Sequence, residues 1–178
     1  MWDLQNPRPA KLIIGILACD QNCLNAAQKA ISAKFGLIDL ASEVWPFTQT
    51  DYYKDETGPD ILRQFVSIET LIDPGKLAKI KHATNKLEQK LARTIKLPLS
   101  RPVNLDPGII EPSKLVLATT KNYSHRIYIG HKMYAEVTLI YEKGTWRHFD
   151  YTYPDYREPI YHDFFTKVRT RLLEQLKT

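Results

Sequence analysis

Lys11-Leu12-Ile13-Ile14-Gly15-Ile16-Leu17-Ala18 holds nearly all of the longest apolar run of the chain, Leu12 to Cys19, which is broken only by Gly15. So short a run is far from the roughly 20 residues that cross a bilayer, and its near-continuous apolar character is that of a central strand covered on both faces. Asp20 or Asn22 can cap a helix behind it. Leu24, Ala27, Ile31 and Phe35 recur at helical spacing, and Gly36 stands where a left-handed C-terminal cap belongs, which predicts an amphipathic helix over 22–35. Residues 37–44, with Ile38, Leu40 and Val44 alternating against more polar neighbours, predict a second strand. Strand, helix and strand in this order predict a βαβ or split βαβ opening of ferredoxin-like type.

Pro46 closes that strand. Residues 47–60 read as a long loop rich in polar and aromatic side chains, in which Thr48, Tyr52 and Tyr53 offer hydroxyls to a pocket. Ile61, Leu62, Phe65 and Val66 predict a short helix with Arg63 on its flank. Asp73-Pro74 is a helix start. Leu77, Ile80, Thr84, Leu87 and Leu91 give that helix a buried stripe running to about Arg93. Lys79, His82, Lys86, Lys90 and Arg93 form a basic ridge on its other side. Four strands are predicted over 115–119, 126–129, 133–141 and 145–151, the last three joined by Gly130-His131-Lys132 and Glu142-Lys143-Gly144 turns as an antiparallel meander. Within 133–141, strict alternation sets Met133, Ala135, Val137 and Leu139 on one face and Tyr134, Glu136, Thr138 and Ile140 on the other. Pro159 opens a last helix with Ile160, Phe164, Phe165, Val168, Leu172 and Leu176 inward. The expectation is one α+β domain over 1–178, a mixed, mainly antiparallel sheet with helices chiefly on one face.

Between the long helix and the meander lies Arg101-Pro102-Val103-Asn104-Leu105-Asp106-Pro107-Gly108. Two prolines fix φ there, and Pro107-Gly108 suits a type II turn, so Asn104 and Asp106 are held stiffly and share one side of an extended segment. Glu136 lies mid-strand, where a carboxylate is costly to bury without a cation. Arg126 on the neighbouring strand is its expected partner. Asp106 and Glu136 are the candidate acid–base residues, with His125 an alternative partner for Asp106, and Arg101, Asn104, Arg126, Thr48 and Tyr53 the candidate ligand-binding residues. Convergent arginines of this kind hold an anion.

That central octapeptide, with Lys114–Thr119, Tyr134–Leu139, Pro46-Phe47-Thr48 followed by Tyr52-Tyr53, Arg63-Gln64-Phe65, Thr84–Glu88 and Thr152–Tyr156, resembles the bacterial domain of unknown function family 4416 over nearly the whole chain. The resemblance implies membership and carries no activity with it.

Several activities are set aside. Asn85-Lys86-Leu87-Glu88 is superficially like the guanine-reading Asn-Lys-x-Asp, but it lies within a predicted helix. No phosphate-cradling G-x-x-x-x-G-K-[ST] and no G-x-G occurs among the 7 glycines. Neither a helical His pair at i, i+4 nor a G-x-S-x-G elbow is present. Cys19 and Cys23 are spaced C-x3-C without a second pair, which predicts buried thiols and no zinc knuckle. Asp106, Glu136, Asp150 and Asp155 are oxygen ligands suited to magnesium, in no recognised metal-binding spacing. The first residues lack a signal peptide's basic flank and apolar core, so a cytoplasmic protein is expected.

A net charge of +5 and a pI near 9.1 permit phosphate-rich partners. Three functions remain: a pocket for a small phosphorylated or carboxylated ligand, in an enzyme or a binding protein; an RNA-associated module using Lys79, Lys86, Lys90 and Arg93; and a partner-binding protein without a ligand.

Overall fold

The computed structural model describes residues 2–48 and 54–177. Among these residues nine strands form one sheet: β1 (Lys11–Ala18), β2 (Ile38–Ala41), β3 (Trp45–Pro46), β4 (Leu62–Ile68), β5 (Val103–Glu111), β6 (Lys114–Thr119), β7 (Ile127–Tyr128), β8 (Tyr134–Glu142) and β9 (Thr145–His148). The helices are α1 (Gln21–Phe35), α2 (Lys54–Thr57), α3 (Leu77–Thr94) and α4 (Pro159–Gln175).

The order β2-β4-β1-β5-β6-β8-β7, with β3 also on β4 and β9 on β8, explains the chain's opening. β4 pairs antiparallel with both β1 and β2, so β1 and β2 run the same way without touching. β4 and β5 are likewise separated by β1, with α3 as their connection. Two such split βαβ units sharing a sheet are the ferredoxin-like arrangement. The meander β6-β8-β7 extends it past β5.

Local chemistry accounts for the helix ends. Asp20 Oδ1 accepts the Cys23 amide at 2.7 Å, and Gly36, at φ 106°, closes α1 with its amide on Ser32 O. Cys19 and Cys23 remain thiols, the first half-buried and the second buried. Asp73 accepts from Gly75 N, capping the 3-10 turn that leads into α3.

The sheet has two covered faces. Leu12, Ile14, Ile16 and Ala18 of β1 pack with Val66, Ile68, Val103 and Leu105 against α1 and α3. On the opposite face Ile13, Phe65, Ile110, Leu115, Leu117 and Leu139 pack against Tyr161, Phe164, Phe165, Val168 and Leu172 of α4. In α4 Tyr161 takes the inward place expected of Ile160, which is exposed.

Three local expectations change. Residues 62–68 are a strand and not a short helix: buried on both faces, β4 shows no polar alternation, and its Leu62-Phe65-Val66 spacing imitates a helix. Pro107-Gly108 lies inside β5 and makes no turn. Gly108 is needed for close approach, since a Cβ there would stand 2.7 Å from both Leu117 Cδ2 and Val116 O. In β8 the register shifts, so that Val116 faces Val137 while Leu115 faces Leu139, leaving Thr138 unpaired. This β-bulge breaks the strict alternation and sets Glu136 and Leu139 on the same face.

One buried ion pair ties the end of α4 to the sheet. Lys11, without exposed surface, donates to Asp39 at 2.5 Å, to Gln175 Oε1 at 2.7 Å and to Glu69 O at 3.1 Å. Burial alone would raise the Asp39 carboxyl, but Lys11 and the Ser67 hydroxyl outweigh it and hold the carboxyl below its ordinary value.

Removing one partner of a buried pair costs about 3–5 kcal/mol, so Lys11→Met is expected to lower the urea midpoint strongly at pH 7. Because the Asp39 pKa is depressed on folding, the pair stabilises fully above the ordinary carboxylate pKa of about 3.9 and its contribution fades as pH falls through the lower folded value. The gap between wild type and variant should therefore narrow in acid; equal midpoints at pH 7 would show that Lys11 is not the tie. Gly108→Ala should cost about 1–3 kcal/mol by overpacking, and an unchanged midpoint would show that β6 can yield.

Candidate functional site

The site begins with a strand that has lost its neighbour. The β5–β6 ladder starts only at Gly108 opposite Leu117, so residues 103–107 have no strand on that side among the described residues. The backbone groups of Leu105, buried but without a ladder partner there, are satisfied from α3 instead: its amide donates to Glu88 Oε1 at 2.8 Å, and its carbonyl accepts from Lys81 Nζ at 2.9 Å. Two residues on, Pro107 faces the same open side, where its missing N–H leaves no ladder bond unmade. Lys81 and Glu88 thus lie on the buried stripe of α3 with Thr84 and Leu91. Glu88 also accepts from Arg101 Nη2 at 2.7 Å and Nε at 3.1 Å. Burial raises the Glu88 carboxyl more than Lys81 and Arg101 lower it.

Asn104 and Asp106 project from β5 onto the face that α4 covers only in part. Cross-strand pairing aligns Arg63, Leu17 and Asn104 in one row and Phe65, Gly15 and Asp106 in the next. The missing side chain at Gly15 makes room for its neighbours: Arg63 Nη1 and the Tyr156 hydroxyl lie 3.0 and 3.2 Å from where a Cβ would stand. Asn104 Nδ2 donates to Asp106 Oδ2 at 2.6 Å, and Lys81 reaches Oδ1 at 3.4 Å. Burial pushes the Asp106 carboxyl up, yet Lys81, Arg63 and Arg101 together bring it below the ordinary carboxylate range. It is ionised at neutral pH.

Arg63 is buried, with Phe47 and Phe65 each 5.1 Å and Tyr156 5.7 Å from its guanidinium carbon. Its Nη2 donates to Asp155 Oδ2. Burial disfavours the cation, but Asp155, Tyr156 and Asp106 hold it charged. Arg63 Nε, Arg63 Nη1, the Tyr156 hydroxyl and, away from the cleft lining, Trp45 Nε1 are buried without a hydrogen-bond partner among the described residues. Such groups are costly in a native interior. The Tyr161 phenol, which burial raises, is held down in part by the Arg63 side chain beside it.

The far wall is Glu136, turned inward by the bulge. Its Oε2 accepts from Arg126 Nε at 2.8 Å and lies 3.1 Å from His125 Nε2; its Oε1 is 3.4 Å from the Thr138 hydroxyl. Arg126 Nη2 donates to the Tyr153 hydroxyl at 2.7 Å, and His125 stacks on Tyr151 with centroids 4.1 Å apart.

Together these walls enclose a cleft of about 550 Å³. Of the residues singled out from sequence, Arg101, Asn104, Asp106, Glu136 and Asp155 line it. Arg126 stands behind Glu136 as its partner and is not part of the lining. Thr48 is exposed and outside the cleft, because Phe47 turns inward at that point of the chain. Tyr53 lies outside the described residues. Lys79, Lys86, Lys90 and Arg93 are exposed on α3, away from the cleft lining. Asp106, Glu136, Asp150 and Asp155 are not gathered as a metal cluster among the described residues; the one close set found there is Cys19, Asp20 and Cys23, at the start of α1.

The sequence reading missed Arg63, Lys81, Glu88 and Tyr156, and named Asp155 only as an oxygen ligand suited to magnesium. The signal for Lys81 and Glu88 was their helical spacing from Thr84, which puts both charges on the apolar stripe. Arg63 was hidden by reading β4 as a helix.

No helix among the described residues is long and apolar enough to cross a membrane. Neither the curated proteins nor the solved structures hold a match to the chain. A family described as Domain of unknown function (DUF4416) matches residues 8–172 of the 178. The match covers both split βαβ units, the meander and nearly all of α4, and the chain therefore belongs to this family.

Proposed function

We propose that the cleft binds a small phosphorylated or carboxylated ligand. The observation that carries this reading is the set of unpaired donors, Arg63 Nε and Nη1 with the Tyr156 hydroxyl, buried at a cleft that Lys81 and Arg101 also line. A guanidinium held in place by aromatic rings and by Asp155 is pre-organised, and an oxyanion would satisfy donors that the fold leaves over. The cleft volume lies within the usual range for small-molecule sites, about 300–1,000 Å³. Asp106 and Glu136 supply acceptors at the same cleft, as binding groups or as proton acceptors in a reaction.

RNA binding along α3 is the second reading, favoured by the exposure of Lys79, Lys86, Lys90 and Arg93. That ridge carries no aromatic side chain for base stacking.

Tyr156→Phe separates ligand binding from stability. It removes an unpaired buried hydroxyl and keeps the ring, so the ligand-free protein should melt at the same or a higher temperature. A ligand at about 100 times its dissociation constant stabilises the folded state by about 2.7 kcal/mol. Inorganic phosphate should therefore raise the wild-type melting temperature at moderate salt, and raise that of Tyr156→Phe less. Neutralising Lys79, Lys86 and Lys90 should leave this response intact. A melt that responds to bulk RNA at low salt only, and is lost with those three lysines, would replace the cleft by the ridge.

A further inference from the structure

We infer that the ligand of this cleft is a polyol bearing an anionic group, a sugar phosphate or sugar acid, with a neutral hydroxyl donating to Asp106 while the anionic group lies at Arg63 and Tyr156. This rests on the anion-binding reading above and names the class of anion.

Asp106 carries the argument. Its carboxylate accepts from Asn104 at 2.6 Å and from Lys81 at 3.4 Å, and its side chain keeps 29% of its surface exposed. An ionised carboxylate only accepts, so it repels a phosphate or carboxylate oxygen and needs a donor opposite. That donor is an ammonium, a neutral N–H or a hydroxyl. Lys81, Arg63 and Arg101 already act on Asp106, and a fourth cation brought among them would be repelled. A hydroxyl meets the same acceptor without that cost.

Glu136 offers the second acceptor, its Oε1 having among the described residues the long Thr138 contact of 3.4 Å. Gly108, Leu117 and Glu136 lie in one cross-strand row, on the face that also bears Asp106. Glu136 is thus two strand spacings from β5, about 10 Å. A ligand that uses both carboxylates carries several hydroxyls along its length, as a sugar does and a three-carbon hydroxy acid does not.

The test is a calorimetric titration of the whole chain with inorganic phosphate, glucose 6-phosphate, gluconate and glucosamine 6-phosphate. A hydrogen bond to a charged group corresponds to roughly 10- to 100-fold in affinity, so glucose 6-phosphate or gluconate should bind at least about tenfold more tightly than inorganic phosphate. Which of the two binds more tightly identifies the anionic group. Asp106→Asn should remove most of that advantage, while inorganic phosphate binds equally or more tightly because a negative charge has gone. Phosphate binding with no gain from the polyol would overturn this inference and leave the anion site standing. Glucosamine 6-phosphate binding more tightly than glucose 6-phosphate would overturn it as well. Binding of none of the four would overturn both readings. The wild-type ranking decides the matter even where Asp106→Asn fails to fold.

Discussion

A strand edge without a neighbour must find other partners for its amides and carbonyls, and the N-terminal half of β5 is such an edge. Glu88 and Lys81, about two helical turns apart on α3, serve the amide and the carbonyl of Leu105. The consequences reach beyond one residue. Charges that would ordinarily stay in water are drawn into the wall, Glu88 recruits Arg101, and Lys81 comes within reach of Asp106. β6 runs on to Thr119 beside β8 but parts from β5 after Leu117; were it to continue alongside β5, it would satisfy Leu105 by ordinary ladder bonds and close the cleft. The short ladder therefore creates both the opening and the electrostatic setting of the carboxylate beside it.

The charged groups on the α4 face of the sheet differ in how their polarity is balanced. Lys11 with Asp39, and Arg126 with Glu136, are paired and need nothing further to be stable. Arg63 is different, since Asp155 engages one of its nitrogens while, among the described residues, Nε and Nη1 have no hydrogen-bond partner beside the Tyr156 hydroxyl, and the Tyr161 phenol lies near the same guanidinium. A fold that otherwise caps a lone strand edge with buried side chains leaves these groups unmatched where the sheet face opens into a cleft. Retained unsatisfied donors at a concave surface are what a binding site requires and a stable core does not.

The sequence made some of this legible. The apolar run of Lys11–Ala18, the cap at Asp20, the helix behind Asp73-Pro74 and the Arg126–Glu136 pair all follow from local chemistry, and each has the partners that chemistry expects. Asn104 and Asp106 share a side as an extended backbone demands, although the strand continues where a turn was expected. What stayed hidden depends on long-range pairing. Buried on both faces, β4 shows no alternation, so Arg63 could not be aimed. The bulge that turns Glu136 inward arises from the register between β6 and β8 and has no local signature in 134–142. The purpose of Lys81 and Glu88 is visible only once the missing stretch of β6 is seen opposite them.

The most direct measurement is a high-resolution crystal structure of the protein grown or soaked with inorganic phosphate. The account predicts phosphate density within hydrogen-bond distance of Arg63 Nη1 and the Tyr156 hydroxyl, above Gly15. Ordered waters saturating those same atoms in the presence of phosphate, with no anion in the cleft, would contradict it.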